Sequence, residues 1–148
     1  MSEIADYLVP FVQGYALAIL WVNTRFTDDI GDTPHIYSWQ DSGAQWALDA
    51  FTPQSRASIL EDCEDFVRGN FGDLRAIIDS EPAEQAGHDF AFTRNRHGTG
   101  FWDRGLGDIG DRLTANAHPY GESNASLSRE DYDNGGCSIV HLDDEKGE

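Results

Sequence analysis

The chain has 148 residues, 39% of them hydrophobic, and a net charge of −17 from 27 acidic and 10 basic residues. This length fits one domain with its own hydrophobic core. The charge argues against a protein that binds nucleic acid or anionic lipid by bulk attraction. Two cysteines, Cys63 and Cys137, are too few for a disulfide framework or a four-cysteine metal site.

The longest apolar stretch, residues 7–22, is interrupted by Pro10, Gln13 and Gly14 and is shorter than a bilayer-spanning helix. Acidic residues precede it, whereas the first part of a signal peptide is basic. We therefore expect a soluble, cytoplasmic protein with reduced cysteines and no membrane partner.

The acidity has explanations other than binding. Nine of the ten basic residues are arginine, and 18 of the 27 acidic residues are aspartate. A GC-rich genome favours these codons, and an acidic, lysine-poor surface also improves solubility in a high-salt cell. The composition alone does not separate these two explanations from a binding function.

The first half of the chain is predicted to be helical. Residues 3–22 carry apolar side chains at spacings of three and four, with Pro10 expected to kink this helix or to set its start. A short helix is predicted over 41–50. The threonine–proline pair at 52–53 marks the start of another helix, and Gly69 marks its end before a further short helix.

The segment 88–104 is predicted to form an antiparallel β-hairpin. Residues 89–93 and 100–103 are the two strands, and the glycine-containing stretch between them is the connection. Its aromatic side chains are expected to be largely buried, some against the N-terminal helix: Phe90, Phe92, Phe101 and Trp102.

A helix is predicted over 108–117, and two more strands over 123–128 and 137–142. The expected fold class is therefore α+β, with a helical N-terminal half packed on a small antiparallel β-sheet in the C-terminal half. Residues 1–142 are expected to form a single globular domain, and 143–148 a frayed acidic tail.

Charge is unevenly distributed along the chain, because residues 1–84 carry −11, residues 119–148 carry −6, and residues 85–118 are neutral. In the neutral segment, the predicted hairpin brings Asp89 and Asp103 close together, with arginines as their partners. Such a group is either structural or holds an anionic ligand, because arginine suits phosphate and carboxylate. The candidate residues are His88, Asp89, Arg94, Asn95, His97, Asp103 and Arg104. We predict that Asp103 pairs with Arg94, Arg104 or His88.

Motifs for known chemistry are absent from the sequence. It has no P-loop, no nucleophile elbow and no zinc-protease motif. The glycines over 105–110 resemble a dinucleotide-binding string, but no parallel β-α-β unit is predicted around them. Cys63 lies on an apolar helix face and is interpreted as a core residue. We assign no catalytic residue, no metal and no cofactor, and an enzyme is the less favoured interpretation.

The neutral segment also carries a longer pattern. It reads AGHDF at 86–90, TRN at 93–95, HG at 97–98 and GFWDRG at 100–105, followed by YGE at 120–122. This pattern resembles a family of small proteins encoded by tailed bacteriophages, whose members read A-G-H-D-F-x-x-T-R-N-x-H-G-x-G-F-W-D-R-G. Arg96 and Ala91 stand where members often have Gly and Trp. The resemblance implies a phage origin and a cytoplasmic, non-virion role in an infected cell, but no particular chemistry.

Three functions are compatible with these observations. The first is a protein that binds and inhibits a basic, nucleic-acid-handling host protein, in counter-defence or host takeover, for example by DNA mimicry. It would not bind nucleic acid itself. The second is a small-ligand or nucleotide-binding protein, or a small enzyme, that uses the polar cluster of residues 88–104. The third is a structural or assembly factor that forms a homodimer through its aromatic residues.

The first function predicts an exposed acidic face, although an acidic helix is also an ordinary solvated surface. The residues of this predicted face are Asp49, Glu61, Asp62, Glu64, Asp65, Asp73 and Asp79.

Overall fold

A computed structural model describes residues 3–22, 25–26, 46–96, 100–127 and 138–141. Within these residues the fold is mainly helical. The α-helices are α1 (Glu3–Val22), α2 (Pro53–Ala76), α3 (Ala83–Arg94) and α4 (Asp108–Ala117). Short 3-10 turns occur at Ala47–Ala50, Phe101–Asp103 and His118–Tyr120.

Helix α1 is the central helix, and its closest neighbour is α3. A Cβ atom on Gly14 would lie 2.0 Å from the Glu84 carbonyl oxygen, and one on Gly87 would lie 2.0 Å from the Phe11 carbonyl oxygen. The two backbones therefore touch, and this contact requires glycine on both helices. The helix runs through Pro10, so this proline does not set its start.

Helix α2 begins as the sequence predicts. The Thr52 hydroxyl accepts a hydrogen bond from the Ser55 N–H at 3.3 Å, and Pro53 occupies the first helical position. The predicted end at Gly69 is confirmed in part, because the backbone of Asn70 is not helical (φ −128°, ψ 18°) and divides α2 at a kink into two helical segments, of which the second runs to Ala76. The Asn70 side-chain amide donates to the Phe66 carbonyl at 2.8 Å and so satisfies an oxygen at the kink.

Aromatic rings join the helices in the core. The Phe66 ring stacks on the Phe90 ring with centroids 4.2 Å apart, and it also contacts Phe11 and Phe101 at 6.1 and 5.8 Å. All four side chains are fully buried. Each such pair adds about 0.5–1.5 kcal/mol beyond the burial of its area, so this cluster fixes how α1, α2 and α3 pack.

The α+β prediction is wrong, because the central hairpin is not formed. Residues 83–94 are α3 and residues 101–103 are a 3-10 turn, while 97–99 lie outside the described residues. The alternating phenylalanines at 90 and 92 imitate a strand. The buried positions nevertheless follow helical spacing, at Ala83, Ala86, Gly87, Phe90, Ala91 and Arg94.

The burial predicted for the aromatic residues of this segment is partly correct. Phe90 and Phe101 are completely buried, and Phe92 is partly buried against the core. Trp102 is 50% exposed, contrary to the prediction. It lies in the 3-10 turn that replaces the predicted second strand, where only Phe101 points into the core.

Three short strands accompany the helices: β1 (Arg25–Phe26), β2 (Ser123–Leu127) and β3 (Ser138–His141). β2 pairs antiparallel with β3, with Ser123 opposite His141, and β1 pairs parallel with β2. The strands predicted over 123–128 and 137–142 coincide with β2 and β3. They do not make the fold α+β as predicted, because the core is built from helices.

The remaining predicted elements are only partly described. Helix α4 confirms the prediction over 108–117. Of the helix predicted over 41–50, only the 3-10 turn Ala47–Ala50 lies in the described part, and the predicted tail 143–148 lies outside it.

Helix α1 is long and apolar enough over Glu3–Leu20 to cross a membrane, by length and composition alone. Half of this stretch is buried inside the protein, as in the core helix of a soluble protein. The fold is therefore compatible with a soluble protein.

Candidate functional site

Much of the 86–105 pattern builds the fold. The Thr93 hydroxyl accepts a hydrogen bond from the Phe101 N–H at 3.2 Å. A Cβ atom on Gly100 would lie 2.3 Å from that hydroxyl, and Gly100 has a φ of +154°. The Asn95 side chain donates to the Ser123 carbonyl at 3.0 Å and accepts from the Ser123 N–H at 2.7 Å. Asn95, a candidate site residue, therefore anchors the chain at the start of β2.

Arg94 is fully buried and is bound on all three guanidinium nitrogens. Nη1 donates to Asp62 Oδ2 at 2.9 Å and to Tyr15 Oη at 3.1 Å. Nε donates to the Gly121 carbonyl at 2.8 Å, and Nη2 donates to the Tyr120 carbonyl at 2.8 Å. These bonds tie α1, α2 and α3 to the segment before β2 and leave the cation no exposed surface. Arg94 is a structural residue in this fold.

A second group, here called the Asp89 cluster, consists of Glu81, Gln85, Asp89 and Arg104. Arg104 binds the buried Asp89 carboxylate with both arms, through Nη2 to Oδ1 at 2.9 Å and Nε to Oδ2 at 3.1 Å. Gln85 donates to Asp89 Oδ1 at 3.4 Å. The carboxyl groups of Glu81 and Asp89 are buried and Gln85 is partly buried, whereas the Arg104 side chain is 36% exposed, so Arg104 is the most exposed member of the cluster.

Burial, the hydrogen bond to Asp89 and the negative charge of Asp89 together raise the pKa of Glu81 to about 8, against the opposing charge of Arg104. At neutral pH the Glu81 carboxyl therefore carries a proton that it donates to the Asp89 carboxylate. A proton held between two carboxyl groups is an arrangement found in acid–base sites.

Two buried oxygen atoms near this cluster have no hydrogen-bond partner among the described residues. They are Glu81 Oε2 and Tyr7 Oη. The two side chains are 2% and 5% exposed, and the Glu81 charge adds to burial in raising the pKa of Tyr7. Such atoms are rare in proteins and mark positions where water or a ligand group can bind.

The histidines and Asp103 do not complete a site with this cluster. His88 is half-buried, and burial lowers its pKa, with Glu84 and Asp89 raising it and Arg104 lowering it. His97 lies outside the described residues. Asp103 is exposed, and the predicted ion pair of Asp103 is wrong within the described part of the chain. Since 83–94 is helical, Asp89 reaches Arg104 instead, and Arg94 pairs with Asp62.

The predicted acidic face is only partly an open surface. Asp49, Glu61 and Asp79 are exposed, and Asp65 is exposed but accepts a hydrogen bond from the Tyr120 hydroxyl. The expected exposure of Asp62 is wrong, because this side chain is 4% exposed and pairs with Arg94. Glu64 and Asp73 are half-buried and are held by arginines at 2.8 Å. Asp62 lies on the core side of α2 because it is three residues from Ile59 and four from Phe66, which are both buried.

Most arginines that the structure describes form ion pairs with acidic side chains of the protein itself. Five arginines each bind one acidic side chain, in the pairs Arg68–Glu64, Arg75–Glu3, Arg94–Asp62, Arg104–Asp89 and Arg112–Asp73. Arg56 donates instead to the carbonyls of Asp49 and Phe51. Other exposed acids form no ion pair with a described residue: Asp6, Asp49, Glu61, Asp79, Glu84, Asp103, Asp108 and Asp111. In the part of the chain that the structure describes, the net negative charge of the surface is therefore carried by carboxylates outside ion pairs.

A groove of about 370 Å³ lies between the start of α1 and the end of α2. Apolar side chains including Pro10, Phe71 and Ile78 form its walls, and Glu3 and Asp6 stand among its lining residues. Tyr7 also lines the groove. None of the lining residues belongs to the predicted cluster of residues 88–104. We refer to it below as the α1–α2 groove.

Comparisons with family models, with curated proteins and with solved structures find no match for this chain. Among the described residues, no three His, Cys, Asp or Glu side chains are grouped as metal ligands. Cys63 is completely buried, as predicted for a core residue, and burial raises its pKa well above the usual value. The function therefore has to be argued from surface charge, the groove and the polar clusters.

Sequence reasoning missed Glu81, Gln85 and Tyr7. A usable signal exists for Gln85, because Gln85 and Asp89 are spaced by four residues and share one face of α3, whereas Glu81 precedes this helix and its Pro82 cap. That signal becomes visible only once the segment is interpreted as helical. No local pattern connects Tyr7 to this face, because its contact depends on how α1 packs against α3.

Proposed function

We propose that this protein binds a cationic surface of a nucleic-acid-handling protein in a phage-infected bacterial cell and thereby inhibits it. The observation that carries the proposal is the use of arginines in internal ion pairs, which leaves free carboxylates on the surface of a chain with net charge −17. Such a surface steers cationic partners toward it and repels phosphate groups.

The partner is a protein rather than a nucleic acid, because binding of DNA or RNA depends on cations placed against phosphates. Arg94 is buried, and the other arginines of ion pairs are held by carboxylates. The phage context comes from the resemblance over residues 85–122. The resemblance supports the part of this proposal that concerns the cytoplasm of an infected cell and a role in counter-defence or host takeover.

The contact surface is narrower than the acidic row expected from the sequence. Asp49, Glu61, Asp65 and Asp79 supply exposed carboxylates, whereas Asp62 belongs to the Arg94 network. DNA mimicry in this protein would therefore rest on separated exposed carboxylates rather than on an unbroken row along α2.

Capture from a host extract tests the proposal. The immobilised protein is expected to retain nucleic-acid-binding proteins at low salt and to release them when duplex DNA is added. Retention of none of these proteins, or retention that added DNA does not reverse, would overturn it. Direct binding of the isolated protein to DNA at physiological salt would overturn it as well.

A second candidate function is supported by the unpartnered Glu81 oxygen in the Asp89 cluster, next to the ion pair of Asp89 with Arg104. In this alternative the protein binds a small ligand, with Arg104 as the exposed group that meets an anion. A thermal-shift screen with nucleotides and divalent metals separates the two candidates. A ligand that raises the melting temperature of wild-type protein, but not that of Arg104→Gln, favours this alternative.

A further inference from the structure

The α1–α2 groove combines an apolar interior with hydrogen-bond acceptors. Phe71 and Ile78 line it from α2 and the residues after it, and Pro10 lines it from α1. Ile78 is 42% exposed, so a large apolar side chain faces solvent at this position. A surface of this kind favours an occupant that brings an apolar side chain.

Acceptor groups lie beside these walls. Asp6 is exposed and forms no ion pair among the described residues, and Glu3 binds Arg75 at 3.0 Å. Arg75 also lines the groove but is held by Glu3, so the Asp6 carboxylate is the acceptor that the groove offers to a cationic donor.

Tyr7 adds an independent observation. It lines the groove, is 95% removed from solvent, and has a hydroxyl with no hydrogen-bond partner among the described residues. Glu81 interacts electrostatically with this hydroxyl from the side of the Asp89 cluster. A buried hydroxyl without a partner at the wall of a groove is a group that an incoming donor or acceptor can satisfy.

We propose that the α1–α2 groove is the docking site for a segment of the cationic partner that places an apolar side chain next to a lysine or arginine. The apolar side chain packs against Phe71 and Ile78, and the cation binds at Asp6. This inference rests on the proposed function, because it takes the positive charge of the occupant from the charge complementarity argued there.

Two matched variants test the site. Ile78→Arg places a cation in the groove, and Leu60→Arg makes the same change at a side chain that is 40% exposed and does not line it. The probe is a short fluorescent peptide with Leu-Lys-Lys-Leu repeats, compared with a Ser-Lys-Lys-Ser counterpart of equal charge. We expect Ile78→Arg to weaken binding of the leucine peptide at least about tenfold, about 1.4 kcal/mol, while Leu60→Arg changes it little. A second pair makes the same comparison for the charge. Asp6→Asn removes a carboxylate that lines the groove, and Asp49→Asn removes an exposed carboxylate that does not line it.

Equal losses in Ile78→Arg and Leu60→Arg would show attraction by bulk charge alone and would overturn the proposal. Equal binding of the leucine and serine peptides would overturn it too. Thermal unfolding of each variant shows that it is folded. The proposed function fails by a different readout, the capture of host proteins and their release by DNA, which does not depend on how the two variants differ.

Discussion

Replacing Glu81 by glutamine should remove a specific pH dependence from the stability of the fold. Glu81 is 2% exposed and shares a proton with Asp89, and its pKa is raised from the ordinary value of 4.5 to about 8. The folded protein therefore keeps this proton over a pH range in which the unfolded chain has lost it.

The direction of the effect follows from this difference. A raised pKa contributes stability that is fully present below pH 4.5 and is lost as the pH rises through 8. The full shift corresponds to an upper limit of about 5 kcal/mol, at about 1.4 kcal/mol for each pH unit. Because Arg104 can stabilise a second negative charge and water can enter around it, we expect a measured loss of about 2 kcal/mol.

Glutamine is the suitable replacement, because it has nearly the size of glutamic acid and its amide can donate to the Asp89 carboxylate at every pH. Urea unfolding at about pH 5 and about pH 8.5 measures the effect as a difference in unfolding free energy between variant and wild type. We expect similar stabilities at the lower pH and a more stable variant at the higher pH. Glu84→Gln, which alters a nearby exposed acid in the first turn of α3, is the control and should follow wild type.

Parallel stability profiles for wild type and Glu81→Gln would refute this reasoning. They would mean that Glu81 is ionised in the folded protein at neutral pH, and that the Asp89 cluster does not hold a proton.

Three further predictions concern the packing of the helices. Asp62→Ala leaves the buried Arg94 cation without its carboxylate and should lower the unfolding free energy by about 3–5 kcal/mol. The control Arg68→Ala removes an exposed ion pair and should lower it by less than about 1 kcal/mol. Similar losses in the two variants would contradict the structural role of Arg94. Gly87→Ala should destabilise strongly in urea unfolding because its Cβ atom would meet the α1 backbone, while Gly72→Ala, in open space on α2, should stabilise by up to about 1 kcal/mol. Arg96 has a φ of +59°, so Arg96→Gly should raise the unfolding free energy by about 1 kcal/mol, and a loss of stability would contradict this.

The helices of this fold were predictable where one local signal dominates. The apolar spacing of α1 and the Thr52 cap of α2 both appear in the structure as expected. Helix α3 was missed because its alternating phenylalanines imitate a strand and its arginine at position 94 is not recognisable as a buried residue. Burial of Arg94 depends on partners from α1, α2 and the segment before β2, which no local pattern connects.

The same limit applies to the candidate site. The sequence placed Asp89 and Arg104 in one candidate cluster through a hairpin that is not formed, and the helical segment brings them together as the two-armed ion pair of the Asp89 cluster. It assigned Asp62 to the surface because an acidic run on a helix is usually solvated, whereas this residue lies on the core side beside Cys63. Arg96 follows α3 with a left-handed backbone, a conformation that glycine usually adopts at the end of a helix, and no local pattern predicts it.

The central claim, recognition of a cationic partner by free surface carboxylates, is tested most directly by the salt dependence of the association rate. A captured host protein is mixed with this protein by stopped flow while the ionic strength is raised from about 0.01 M to about 0.15 M, which shortens the screening length from about 30 Å to about 8 Å. The account predicts that the association rate constant falls at least about tenfold. A rate constant that does not change with salt would contradict it, because the surface charge would then have no part in recognition.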